Sequence, residues 1–214
     1  MKSILVIGLG RFGRHIGKNF LDEGNSVLAI EKDSARADSL ADSLPNIQIA
    51  DTTDEHFIKT LGVSNFDICV VAIGDDFQSA LETTVLLKDY GAPFILARAN
   101  SEIHRKLLLR NGADEVIYSE KEMAKRLAIK HSPNNIFDYI ELNENVAIYE
   151  IATPKQWIGK SIIENAVRTK YNVSILAIKK YGEFIPLPSP NYIFDNDETI
   201  IVMGSFENIK KITK

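Results

Sequence analysis

The sequence predicts a doubly wound parallel α/β domain followed by a smaller α+β domain, and three observations carry that reading. Short β-rich apolar runs alternate with longer amphipathic stretches over the first two-thirds of the chain. A glycine-rich turn joins the first run to the first amphipathic stretch. After residue 144 the alternation gives way to strands separated by turn clusters. Strands that alternate with helices through short connections are βαβ units, and such units build a parallel sheet with helices on both faces.

In chain order, strands are expected near Ile4 to Ile7, Val27 to Glu31, Ile47 to Ala50, Ile68 to Ile73, Phe94 to Arg98 and Glu115 to Tyr118. Gly24-Asn25 ends the first helix, Pro45 closes the second, Gly91-Ala92-Pro93 separates the fourth helix from its strand, and Gly112 precedes the sixth strand. Ser119-Glu120-Lys121-Glu122 is a capping box that opens a helix running to about His131, and Pro133-Asn134-Asn135 breaks it. A second short amphipathic stretch, Ile136 to Leu142, then completes a helix-turn-helix crossover more useful to a neighbour than to its own core. Later strands are expected near Val146 to Ala152, Val173 to Lys179 and Thr199 to Met203, with turns at Tyr181-Gly182 and Asn196-Asp197. The expected domains are 1–118, 119–143 and 144–214. A final domain of about 70 residues is marginal by itself, so pairing with another copy is expected.

Composition narrows the function classes. The chain has 214 residues, of which 45% are hydrophobic, enough for a substantial core. A formal net charge of -4 argues against broad nucleic-acid or anionic-membrane binding, and no nucleic-acid partner is expected. The single cysteine, Cys69, lies inside an apolar run, which leaves no internal disulfide and no cysteine-based zinc site. No apolar run reaches the roughly 18 residues of a membrane span, and the amino terminus leads directly into a strand. The expectation is a soluble cytoplasmic protein that meets any membrane through a partner.

The glycines of Gly8-Leu9-Gly10-Arg11-Phe12-Gly13 fall at G-x-G-x-x-G spacing, after a strand and opening a helix. Gly8 permits the tight turn, Gly10 lets backbone approach a phosphate, and Gly13 lets the helix pack against the strand. Phosphate is then held by helix amides without partners. Glu31, about 20 residues on at the end of the second strand, suits a ribose, and Lys32 beside it is within reach of ribose or phosphate. Ligands in open α/β sheets lie beyond the carboxyl ends of the strands, which brings in Asp51-Thr52, Ile73-Gly74 and Arg98. Asp51 reads equally well as a helix cap before Thr53-Asp54, whereas for Arg98 the strand end points at the crevice and a surface salt bridge is the lesser alternative. Arg11 is unusual: a cation in the first turn of a helix is disfavoured by ~0.3 to 1 kcal/mol, yet a guanidinium grips a terminal phosphate well. It favours ATP and ADP over NAD.

No catalytic set accompanies this site. The four histidines are scattered over helical stretches without a nucleophile pattern or a carboxylate pair, and only His104 falls near the crevice. A nucleotide site without chemistry suggests a sensor. Two rival readings are a small NAD(P)-dependent oxidoreductase and a soluble nucleotide sensor with a partner other than a transporter.

The residues that decide between these readings are Gly8-Leu9-Gly10-Arg11-Phe12-Gly13, Val27 to Glu31, Val70 to Gly74, Asn111-Gly112-Ala113-Asp114, Ser119 to Met123, Lys160-Ser161-Ile162-Ile163 and Ile175 to Lys179. With them the chain resembles, end to end, the RCK regulatory subunits of bacterial Ktr and Trk potassium-uptake systems, most closely the KtrA type. The resemblance implies a Rossmann-like nucleotide-binding lobe, a crossover that dimerises it, and a ligand-binding RCK_C (TrkA_C) lobe. It implies homodimers in an octameric ring that docks beneath a membrane-embedded, KtrB/TrkH-type translocating subunit, at the inner face of the cell membrane. Carried over residue by residue, it gives Arg11 the terminal phosphate of ATP, often a neighbouring subunit's. Glu31 takes the ribose, in a position where several relatives have Asp, Arg98 the phosphates, and His104 the crevice. Glu120 matches an acid that binds a divalent cation or sodium between two nucleotides. Ile162, Ile163, Arg168, Ile175 and Pro190 match a cyclic di-AMP site, although Ser161 to Glu164 also forms a plain capping box.

Overall fold

The computed structural model describes residues 1–132, 135–143 and 145–213. The chain divides into two compact units, Met1–Glu120 and Lys121–Lys214. In the first, β1 (Ser3–Ile7), α1 (Arg11–Asp22), β2 (Ser26–Glu31), α2 (Ser34–Leu40), β3 (Ile47–Ile49) and α3 (Glu55–Leu61) follow in order. They are followed by β4 (Ile68–Val71), α4 (Phe77–Asp89), β5 (Ile95–Arg98), α5 (Glu102–Arg110) and β6 (Glu115–Ile117). The six strands pair in parallel in the order β3-β2-β1-β4-β5-β6. That order reverses between β1 and β4, which opens a crevice at their carboxyl ends.

Because side chains alternate across a strand, β1 feeds two cores. Leu5 and Ile7 join Ile58, Leu87 and Leu108 on one face. Ile4 and Val6 join Val27, Val70 and Leu44 on the other, where Phe12, Ile16 and Phe20 of α1 close over them. Strands buried on both faces need continuous apolar runs, and Ile4-Leu5-Val6-Ile7 supplies one.

In α6 (Ser119–Lys130) no described residue is buried, and Met123 and Leu127, one turn apart, are about half exposed. The second unit contains β7 (Ile136–Glu141), β8 (Ala147–Ala152), α7 (Val167–Tyr171), β9 (Ser174–Lys180), β10 (Glu183–Pro186), β11 (Glu198–Gly204) and α8 (Phe206–Thr213). Its sheet is antiparallel, in the order β10-β9-β11-β8-β7. Tyr149, Ile151, Ile178, Ile200 and Val202 pack with Trp157, Phe194 and the apolar face of α8.

Two expectations change here. Ile136 to Leu142 is not a second crossover helix: Ile136–Glu141 is a strand paired with β8, and the helix-turn-helix is a helix followed by a strand of the next sheet. The cause is the turn after it, where the Asn143 carboxamide oxygen accepts the amides of Asn145 and Val146 at 2.9 Å each and brings β8 back alongside. Pro133 and Asn134 of the expected break lie outside the described residues. Beyond the Tyr181-Gly182 turn the chain adds β10, an edge strand that the sequence reading omitted. Tyr181 and Gly182 both have positive φ, 51° and 87°, which suits a tight hairpin.

Candidate nucleotide site

A cavity of about 510 Å³ lies at the carboxyl edge of the parallel sheet, where the strand order reverses. Gly8 follows β1 with φ 86°, a left-handed conformation that glycine adopts without strain. A side chain there would also come within 3.2 Å of the Ile73 backbone. The Gly8 amide donates to the Ile30 carbonyl at 2.8 Å, so the turn is pinned to β2. Gly10 occupies the N-cap position of α1 and has open space around it. At Gly13 a Cβ would overlap the Gly8 carbonyl oxygen, so α1 can begin this close to β1 only with glycine here.

The helix that this loop opens differs from its neighbours. Asp33, Asp54, Asp76 and Ser101 cap α2, α3, α4 and α5 with side-chain oxygens. In α1 no side chain caps the first turn and no acid lies in it. Its leading amides face the cavity without an anionic partner from the side chains, and a phosphate would complete them. Arg11 and Arg14, three residues apart on α1, both line that side.

Glu31 ends β2 with only 4% of its surface exposed. One carboxylate oxygen accepts the Leu9 amide at 2.7 Å, and the other accepts the Asp33 amide at 3.0 Å. Arg36 reaches the first oxygen at 3.3 Å. The acid expected to hold a ribose therefore also holds the glycine loop, and Arg36 is a lining residue that the sequence reading missed. Its only signal was its place one turn into α2, the helix that follows Glu31.

Lys32 and Asp51 face each other across the cavity at 4.0 Å. The Asp51 carboxylate accepts both the amide and the hydroxyl of Thr53, at 3.0 and 2.8 Å, and these bonds, the amide first, hold its carboxyl below the usual range. It shapes the turn while Asp54 caps α3, so the cap expected of Asp51 falls to Asp54. Thr52 is buried and shares a hydrogen bond with Thr83 at 2.9 Å. Asp76, another lining residue not foreseen, has its carboxyl lowered chiefly by the Ser79 hydroxyl, which donates at 2.6 Å.

At the end of β5, Arg98 pairs with Glu120 and lies 5.9 Å over the Phe12 ring. A Cβ at Gly74 would overlap the Arg98 guanidinium, so this glycine makes room for the arginine. Phe12 and Gly13 support the cavity without lining it. His104 does not reach it: the ring stacks on Phe77 at 3.7 Å, because the Ser101 cap fixes the phase of α5. Cys69 is buried and its thiol is pushed up to about 12 by that burial, which makes it a poor nucleophile.

Among the described residues no group of three or more His, Cys, Asp and Glu side chains could hold a metal ion, and Glu120 is engaged by Arg98. The residues of one chain thus do not fit a cation at Glu120. In the second unit, Ile162 and Ile163 donate their amides to the carbonyls of Tyr192 and Pro190 at 3.1 and 3.0 Å. Ile163 and Pro190 are exposed, Ile175 packs partly into the core, and Arg168 lies exposed on α7. Ser161 and Glu164 make the reciprocal bonds of the expected capping box. No helix of the described residues is long and apolar enough to cross a membrane.

The TrkA-N domain family matches residues 4–119, and the TrkA-C domain family residues 146–214. Ktr system potassium uptake protein C of Bacillus subtilis is 37% identical over 100% of this chain and 96% of its own length. Ktr system potassium uptake protein A of the same organism is 36% identical over 98% of this chain and 95% of its own. Among solved structures, the GsuK channel bound to NAD has a TM-score of 0.73 at 17% identity and covers 100% of this chain. GsuK bound to ADP has a TM-score of 0.56 at 16% identity and covers 63%. This chain spans 39% and 35% of those two chains, and at such identities the likeness is one of fold. A parallel sheet that matches TrkA-N, an antiparallel one that matches TrkA-C, and full-length identity to two potassium uptake proteins together establish that the chain belongs to the Ktr/Trk potassium uptake family.

Proposed function

We propose that this chain is a nucleotide-sensing gating subunit, not an enzyme, of a Ktr/Trk-type potassium transporter, with ATP or ADP in the cavity between β1 and β4. The observation that carries it is the amino terminus of α1: unlike α2, α3, α4 and α5 it opens without a side-chain cap, beside two arginines and a buried acid. The α1 amides and Gly10 hold phosphate, Glu31 takes ribose hydroxyls on its remaining lone pairs, and Arg11 meets the terminal phosphate of its own or a neighbouring subunit's nucleotide. NAD, bound by the GsuK relative of the same fold, is the competing occupant.

Two ring shapes are biased only by the difference in a ligand's affinity for them. A charge-assisted contact to a phosphate that ADP lacks is worth about 1.5 to 3 kcal/mol. In this reading 1–118 binds nucleotide, α6 pairs two copies through the exposed Met123 and Leu127 face, and the domain built on the antiparallel sheet, from β7 onward, receives a second ligand. Dimers close into an octameric ring on the cytoplasmic side, under a membrane-embedded KtrB/TrkH-type subunit. A divalent cation or sodium at Glu120 requires ligands from the second copy. Cyclic di-AMP is the proposed ligand of the last domain, against Ile162, Ile163, Ile175, Pro190 and Arg168, and it closes the transporter. Potassium flux into vesicles that hold the membrane subunit tests the proposal. With this chain added, flux is expected to differ between ATP and ADP; equal flux with both, and with neither, overturns it.

A further inference from the structure

Arg98 is held from three directions. Its guanidinium pairs with Glu120, lies over the Phe12 ring and fills the space that Gly74 leaves open. Its side chain is 15% exposed and lines the cavity, while the Glu120 side chain is 57% exposed and is not among the lining residues. The Nε of Arg98 is buried and has no hydrogen-bond partner among the described residues. A guanidinium carries five N–H donors in a fixed fork suited to two anionic oxygens at once, so this one is incompletely used.

A phosphate on the α1 amides and the Glu120 carboxylate are both anions that seek the same guanidinium, and side by side they repel each other. We propose that Glu120 is a built-in competitor for Arg98, which a nucleotide's phosphates displace, freeing the first turn of α6. The inference rests on the nucleotide reading of the cavity and adds a specificity device to it. Glu120 occupies the arginine when no phosphate is present and sets a threshold of phosphate charge that a ligand must exceed. Because Glu120 is the second residue of α6, its release changes the start of that helix and not merely the cavity wall. The exchange is inexpensive, since an ion pair with one exposed member contributes little net stability.

Calorimetric titration of the full chain with ATP, ADP and adenosine, in the presence of a chelator so that no divalent cation screens Glu120, tests the proposal. Glu120→Gln keeps the shape and removes the competing charge. Its affinity for ATP and ADP is expected to rise about 3- to 10-fold, with no change for adenosine, which carries no phosphate. In an Arg98→Ala background the same substitution should have no effect on ATP affinity. ATP binding that is unchanged or weaker in Glu120→Gln overturns the competition while leaving the nucleotide reading intact. A wild-type chain that binds neither ATP nor ADP overturns both. Thermal unfolding of Glu120→Gln at the wild-type midpoint shows that the comparison is between folded chains.

Discussion

The carboxylate of Glu31 accepts the backbone amide of Leu9 at 2.7 Å, tying the end of β2 to the middle of the glycine loop. The acid proposed to take a ribose thus also fixes the glycine loop, and the two halves of the cavity are one hydrogen-bonded unit. Glu31→Ala leaves the Leu9 amide buried without this acceptor and leaves Arg36 with only its longer pair to Asp33, at 3.9 Å. A bond to a buried charged group contributes about 1.5 to 3 kcal/mol, so chemical denaturation should show a loss of that size in the first unit. Unaltered stability would mean that Glu31 serves the ligand alone.

The glycines of the loop separate by what surrounds them. Gly13→Ala places a methyl group on the Gly8 carbonyl oxygen and should destabilise the fold by about 3 kcal/mol, the upper range for overpacking. Gly10→Ala has open space and an ordinary backbone conformation, so its cost should stay below about 1 kcal/mol, the scale of an N-cap exchange. In the proposed complex its methyl group instead stands where phosphate approaches. Thermal unfolding read beside ATP titration should find Gly13→Ala unstable and Gly10→Ala stable but defective in binding. The reverse pattern would contradict the loop's assigned roles.

In the second unit Arg126 grips Asp138 with Nε at 3.0 Å and Nη2 at 2.9 Å. The Arg126 hydrogen bonds are the main reason that the Asp138 carboxyl sits below its usual range. The sign follows from linkage: an acid with a depressed folded-state pKa adds stability that is fully present above its unfolded pKa, about 3.9, and is lost as pH falls through the lower folded value. Both side chains are partly exposed, so the effect is modest and screened by salt. The stability gap between wild type and Arg126→Ala should hold constant from pH 5 to 8, then narrow below about pH 4. A gap that stays the same in acid would assign the loss to packing.

The parallel sheet was legible because its strands are buried on both faces and must read as unbroken apolar runs, as Ile4 to Ile7 and Ile68 to Val71 do. The glycine spacing, which gave Gly8 and Glu31, and the strand-end rule, which gave Asp51, Gly74 and Arg98, likewise pointed to residues that line one cavity. The failures have local causes. Ile136-Phe137-Asp138-Tyr139-Ile140-Glu141 fits either period at this length, and the pairing with β8 that decides it is a long-range fact. β10 is four residues on an edge, too short to show a pattern. His104 fell near the right strand end but on the wrong helix phase, and Arg36 is placed by a bond to Glu31 that spacing alone does not reveal.

The central claim, that the cavity counts phosphates through Arg11, is tested most directly by calorimetric titration of wild type and Arg11→Ala with ATP and with ADP. The account predicts that both nucleotides bind the wild-type chain and that the substitution weakens ATP by roughly tenfold or more, the effect of about 1.4 kcal/mol, while ADP changes far less. Equal losses for ATP and ADP, or tight NADH binding by a chain indifferent to both, would contradict it.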